Sequence, residues 1–160
     1  MAMIQRWLVA VLALIALATV FGAPAKAEGK GFPRTDVTIV TVDGKSHLFH
    51  AELAAKPEQL MQGLMYRRTL AADAGMLFDF GENRGVSMWM KNTLIPLDMI
   101  FITENGRIAG IAERTVPLSL ETVSSPGLVR SVLEVNGGTA SRLGIKPGDR
   151  VIHSIFSQAR

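Results

Sequence analysis

Two dipeptides constrain the fold of this 160-residue chain more than anything else in it: Asp43-Gly44 and Asn105-Gly106, each set between runs of apolar and β-branched residues. Asp-Gly and Asn-Gly accept the positive φ that a two-residue hairpin turn demands, so each predicts a pair of antiparallel strands. Before the first, Val37, Ile39 and Thr41 alternate with Thr38, Val40 and Val42, and Ser46 to Leu53 is the expected returning strand. Around the second, Leu97 to Thr103 and Arg107 to Glu113 form the same pattern. Gly75 to Phe80 and Val86 to Met90 are apolar runs on either side of a Gly-bounded loop, and Leu128 to Asn136 is another strand. Leu118 to Pro126 is polar and irregular, a loop expected to return over the sheet. Thr139 to Leu143 predicts one helical turn, Lys146-Pro147-Gly148-Asp149 a tight turn, and Val151 to Phe156 the closing strand. The fold class is therefore mainly β (α+β): a small antiparallel β-barrel or sandwich-like domain with one main helix.

That helix begins at Pro57, which suits a first-turn position because its missing N–H is not needed there. Leu60, Met61, Leu64 and Met65 form one apolar stripe, and Arg67 and Arg68 are expected at the C-terminus, against the negative end of the helix dipole. Gly63 within the stripe costs about 1 kcal/mol against Ala, which predicts close packing there.

The N-terminus has a different character. Arg6 precedes an uncharged apolar run, Leu8 to Phe21, followed by Gly22, Pro24 and the small-residue triplet Ala25-Lys26-Ala27. This is the anatomy of a signal peptide, residues 1–27, with cleavage expected after Ala27. The run is short of the ~20 apolar residues of a spanning helix. The expected product is periplasmic or secreted, touching a membrane only through the uncleaved signal segment. A flexible lead-in, 28–35, and a single globular domain, 36–157, follow. Without Arg6 and Lys26 the remainder carries 15 Lys and Arg against 14 Asp and Glu. A net charge near zero gives no reason to expect nucleic acid, which needs a clustered basic face. The chain has no Cys, so disulfides, thiol nucleophiles, thiolate metal sites and lipid attachment at a Cys are excluded.

Three blocks carry a family resemblance. Gly63-Leu64-Met65-Tyr66-Arg67 leads to Gly75-Met76-Leu77-Phe78; Trp89-Met90-Lys91-Asn92-Thr93 to Pro96-Leu97-Asp98; Leu133-Glu134-Val135-Asn136-Gly137-Gly138 to Gly148-Asp149. In this order and spacing, over about Thr35 to Phe156, the chain resembles domain of unknown function family 192, a group of small, often exported bacterial and archaeal proteins. The resemblance implies a mostly β domain with one helix. It implies no reaction, substrate or cofactor.

The residues themselves suggest three uses. In the Trp89 to Asp98 block, Met88 and Met90 share one strand face and Trp89 and Lys91 the other, with Asn92 and Thr93 at the strand end. An indole, an ammonium and a carboxamide close together suit a small polar ligand; the same residues could equally be core and turn. Asp98, on the face of Ile100 and Ile102, needs a partner such as Arg67, Arg68 or Lys91, and Glu134 beside Val132 poses the same question. The candidate ligand-binding set is Met65, Arg67, Trp89, Lys91, Asn92, Asp98 and Glu134, in a non-enzymatic module for a small polar ligand or a partner protein. The second use is a hydrolase or lyase with Asp98 and Glu134 as its acid–base pair. The third is Cu(I) handling by the thioethers of Met61, Met65, Met88 and Met90. His47 and His50 are expected on opposite strand faces and His153 in the last strand, so they predict no metal site. No nucleophile elbow or phosphate-binding Gly loop is present, and no cofactor is implied.

Overall fold

A computed structural model describes residues 31–156. The segment read as a signal peptide, 1–27, lies outside them. The first expected hairpin is β1 (Arg34–Val40) and β2 (Ser46–Ala54), and the second is β5 (Leu97–Ile102) and β6 (Ile108–Thr115). Both turns differ from the expected two-residue form in the same way. Thr41 N–H donates to the Lys45 carbonyl and Gly44 N–H to the Thr41 carbonyl, each at 2.9 Å; Thr103, Gly106 and Arg107 repeat this. Each loop therefore has three residues, with Gly44 (φ 84) and Gly106 (φ 74) in the left-handed position. The cause is the Thr that precedes each loop. Its hydroxyl contacts the Asp43 or Asn105 side-chain oxygen and accepts the N–H of Lys45 or Arg107 at 3.1 Å, a bond a two-residue turn would not offer.

The other elements are α1 (Pro57–Gln62), β3 (Ala74–Arg84), β4 (Ser87–Met88), β7 (Val123–Ser124), β8 (Val129–Asn136), α2 (Thr139–Leu143) and β9 (Arg150–Ile152). Seven strands form one sheet in the order β6-β5-β8-β3-β2-β1-β9. Its pairs are antiparallel except β2 with β3, which are parallel because α1 and the chain to Asp73 carry the backbone across between them. The sheet curls until its edges meet: Arg107 and Arg150 form a bridge, and Val151 N–H donates to the Gly106 carbonyl at 2.7 Å. The fold is mainly β, a curled, barrel-like sheet with two short helices among the described residues.

Several boundaries differ from those expected. Arg34 and Thr35, placed in the lead-in 28–35, already belong to β1, where they pair with Glu52 and Ala51. The strand expected over Val86 to Met90 shortens to β4, because Met90 N–H turns to the Ser119 carbonyl and Thr93 N–H closes back on Met90. Within the expected loop Leu118 to Pro126, β7 pairs with β4. The helix ends at Gln62, since Gly63 takes φ 48 and ψ −136. Leu64, Met65, Arg67 and Arg68 thus lie beyond it, and the Arg side chains do not meet its dipole.

The central strands are buried on both faces. Leu77, Ile100, Ile102, Leu133 and Val135 point to one core with Val37, Ile39 and Phe49. Met76, Phe78, Met99, Phe101 and Val132 point to the other, covered by Leu64, Val86 and Met90 from the loops. Two-sided burial accounts for the continuous apolar run of β5, all six residues of which are buried.

Candidate functional site

The second core is incomplete at one end. The segment after α1 and the segment after β4 leave between them a pocket of about 130 Å³. Its walls are Leu60, Leu64, Phe78 and Phe80, the thioethers of Met61, Met65 and Met88, and Trp89, with Thr93 and Glu134 among its polar groups. Residues of all three sequence blocks line it: Gly63 to Met65 from the first, Trp89 and Thr93 from the second, Glu134 from the third.

Glu134 lies on β8 opposite Met76 of β3 and Met99 of β5, so its side chain rises from the sheet into the second core. It is 4% exposed, and no described residue bonds its carboxyl, whose oxygens open into the pocket rather than being sealed in like the unpartnered His47 Nε2 and Ser131 Oγ. Burial raises its pKa from 4.5 to about 8, because desolvation disfavours the carboxylate and no charge offsets it.

Two loops frame the mouth. Tyr66 N–H donates to the Asn92 carbonyl at 2.8 Å, and the Asn92 amide returns a bond to the Tyr66 hydroxyl at 2.9 Å. The same amide lies 3.8 Å from the Met65 sulfur. Trp89 is 48% exposed, with the Lys91 ammonium 5.1 Å from its ring centroid. The indole therefore offers an accessible aromatic wall and holds a cation on one face.

Of the seven candidate ligand-binding residues, Met65, Trp89 and Glu134 line the pocket, while Asn92 and Lys91 support its rim. Arg67 and Asp98 have other work. The Arg67 guanidinium forms a fork with Glu52, with Nη1 at 2.9 Å from Oε1 and Nη2 at 2.5 Å from Oε2. Asp98 is fully buried and bonds with none of Arg67, Arg68 or Lys91. It accepts the backbone N–H groups of Arg114, Gly138 and Ala140, each at 2.8 Å, and so fixes the turn into α2. Asp98 stands opposite Val135 and shares the face of Ile100, whereas Glu134 stands opposite Met99. The two carboxyls point to opposite faces of the sheet, so the acid–base pair is not assembled.

The thioether set divides too. Met61, Met65 and Met88 line the pocket, but Met90 is buried outside it, with its sulfur accepting the Thr115 hydroxyl at 3.1 Å. His153 is paired through Nε2 with the Thr35 hydroxyl at 2.6 Å, and His50 through Nδ1 with Asp36 at 2.8 Å. Tyr66 and Phe80 were not among the expected site residues. Tyr66 stands inside the first block, but nothing in a sequence reveals that its backbone meets Asn92, 26 positions away.

The arrangement defines a class: a β-rich domain with a small pocket of mixed polar and apolar lining over a buried carboxyl. The chain belongs to the DUF192 family, described as uncharacterized ACR, whose model matches residues 38–153. Among solved structures, a proposed transcription regulator from Sinorhizobium meliloti 1021 is 49% identical, with TM-score 0.77, over 79% of this chain and 98% of that one. A protein of unknown function from Novosphingobium aromaticivorans DSM 12444 is 39% identical, with TM-score 0.75, over 83% of this chain and 94% of its own. No curated protein gave a match.

Proposed function

We propose that this protein is an exported, non-enzymatic module that takes a small ligand into the pocket over Glu134. The observation that carries the reading is the convergence of three distant sequence blocks on one cavity whose buried carboxyl has no partner. An unpaired buried polar group costs stability and is rare unless something outside the chain completes it. Apolar and aromatic walls with a few polar groups, here Gln62, Ser87, Thr93 and Glu134, are the usual make-up of a small-molecule site. Export is supported by the Leu8 to Phe21 run and the Ala25-Lys26-Ala27 triplet.

The name of the Sinorhizobium relative raises DNA binding as a rival. Against it stand the two described helices, of six and five residues, which offer no recognition helix for a major groove. Arg67 and Arg130 are also spent on Glu52 and Asp79.

The ε-methyl groups of the methionines provide the test, by NMR against a library of small fragments. Fragments that bind are expected to shift Met61, Met65 and Met88 more than Met90, which is buried outside the pocket. A library that shifts none of the three removes the reading.

A second reading, docking of a partner protein, is favoured by the exposed Val116, Leu118 and Leu120 on the loop that pairs with the 90–93 segment. Replacing all three by Ser is expected to abolish capture of such a partner while fragment binding persists.

A further inference from the structure

We propose that the pocket is a site for a small organic cation, an alkylammonium head, with Glu134 as its counter-charge and the rings of Trp89, Phe78 and Phe80 as its walls. This rests on the ligand-binding reading above and names the chemical class of the ligand.

The argument begins with how this chain treats its other buried or half-buried carboxylates. Asp98 accepts three backbone N–H groups. Asp149 accepts those of Val42 at 2.9 Å and Lys146 at 2.7 Å. Glu52 and Asp79 are paired with Arg67 and Arg130. Glu134 alone of this group has neither a donor nor a cation among the described residues, though it is nearly as deeply buried as Asp98 and Asp149. The missing partner is one the pocket can admit.

None of the residues that line the pocket carries a positive charge. Glu134 is the single titratable side chain among its lining residues. Its neighbours across the sheet are Met76 and Met99, and the nearest pair of charges on β3 and β8, Asp79 with Arg130, is closed on itself. Two cations of the chain rest on its walls, Lys91 over Trp89 at 5.1 Å and Arg84 over Phe80 at 5.2 Å from the ring centres, and neither is paired with Glu134. A ligand carrying its own positive charge supplies what is absent, and aromatic walls attract it through their ring quadrupoles. An anion would instead meet the Glu134 carboxyl with only the neutral donors of Gln62, Ser87, Trp89 and Thr93 and no lining cation to offset it.

A soft metal ion fits less well. Met61 is 75% exposed, the Met65 sulfur is engaged by Asn92, and the Met90 sulfur is engaged by Thr115 outside the cavity. The cavity also has volume to fill: 130 Å³ is about four times the share of one liquid water, enough for roughly four or five non-hydrogen atoms.

Binding then exchanges one cation for another. The empty pocket holds Glu134 as the neutral acid at neutral pH, since burial keeps its pKa at about 8. The incoming ammonium stabilises the carboxylate, and the carboxyl proton leaves to solvent: one cation bound, one proton released. Affinity accordingly rises with pH by up to about tenfold per unit and levels off above the pKa.

The test is isothermal titration of the purified protein at pH 6, 7 and 8 with tetramethylammonium and butylammonium, against tert-butanol as a neutral probe of similar size. Saturable binding of an ammonium that tightens about tenfold from pH 6 to 7, with about one proton released as read from buffers of different ionisation enthalpy, is the expected result. Glu134→Gln is expected to weaken ammonium binding at pH 8 at least tenfold, and Trp89→Ala severalfold. If Glu134→Gln does not fold, proton release by the unaltered protein decides. Tert-butanol binding as tightly as tetramethylammonium, with no proton released, overturns the cation assignment while leaving the ligand-binding reading in place. Failure of every fragment and every probe to move the pocket methionines overturns both. Cu(I) held by the thioethers with no response to either ammonium also overturns it.

Discussion

Tyr66 and Asn92 are joined twice, main chain to main chain at 2.8 Å and side chain to side chain at 2.9 Å, and both adopt left-handed backbone, with φ 64 and 57. Non-glycine residues seldom hold that conformation, and two in direct contact mean that the surrounding packing imposes it. The link ties the segment after α1 to the segment after β4, the two walls of the pocket mouth.

Asn92→Ala is therefore expected to cost about 1–3 kcal/mol, through the lost side-chain bond and a left-handed residue that no longer tolerates it well. Asn92→Gly removes the bond and relieves the backbone, so its cost is expected to be smaller. Urea denaturation of both variants checks the order. An alanine variant as stable as glycine would mean the left-handed geometry carries no strain.

Glu134 gives a pH dependence with a definite sign. Its carboxyl ionises near 4.5 in the unfolded chain and near 8 when folded. Between those values the folded protein holds a proton that the unfolded chain has lost, so the folded state is disfavoured increasingly as pH rises. Stability from this group is complete below 4.5, falls through the window, and is level above 8, a loss on the order of a few kcal/mol. Thermal melts from pH 5 to 8 are expected to show the fall, and Glu134→Gln to flatten it. A fall of equal size in the variant would assign it elsewhere.

Asp98 is expected to behave oppositely under mutation. Its carboxylate satisfies the buried N–H groups of Gly138 and Ala140 and the part-buried one of Arg114, so Asp98→Ala leaves all three without this partner. A cost of about 3 kcal/mol or more is expected, because charged hydrogen bonds are lost and buried donors are orphaned. Chemical denaturation of Asp98→Ala measures it, with ligand response at Met61, Met65 and Met88 recorded on the folded fraction. Destabilisation with the pocket response retained is the outcome that fits a structural role.

How much of this was legible in the sequence differs from element to element. Both hairpins were marked by their Asp-Gly and Asn-Gly turns, and α2 by its position after Gly137-Gly138, because local turn chemistry is written in adjacent residues. The loop length was not legible: the Thr hydroxyl that lengthens each turn acts through a bond to the residue four positions on. The parallel pairing of β2 and β3 depends on the path of a connection. At the site, Trp89, Met65 and Glu134 could be nominated from residue type. Which face Glu134 occupied relative to Asp98 followed from strand register, set by pairing with β5 and β3. The partner of Arg67 was out of reach for the same reason, since Glu52 stands on a strand read as part of a separate hairpin.

Gly63 is where the two kinds of information meet, and it yields the last prediction. Its place inside an apolar stripe already implied close packing, and the structure supplies the neighbour: a Cβ there would stand 2.9 Å from the Phe78 ring. Its φ of 48 with ψ of −136 also ends α1, turning Leu64 into the second core and Met65 toward the pocket. Gly63→Ala therefore meets two penalties, a clash that Phe78 must yield to and a backbone that L-residues resist. Phe78 lines the pocket, so its displacement is felt there as well as in the core. The expected result is a loss of about 2–4 kcal/mol in chemical denaturation together with weakened fragment binding, since the wall that moves is shared. The double variant Gly63→Ala with Phe78→Leu separates the two penalties. Phe78→Leu has its own core cost, so the double variant is read against Phe78→Leu alone. The ring's removal relieves the clash and leaves the backbone strain, and adding Gly63→Ala to it is expected to cost less than in the unaltered protein. No added cost would show that the conformation at Gly63 costs nothing, and an undiminished cost would show that the ring was never the obstacle.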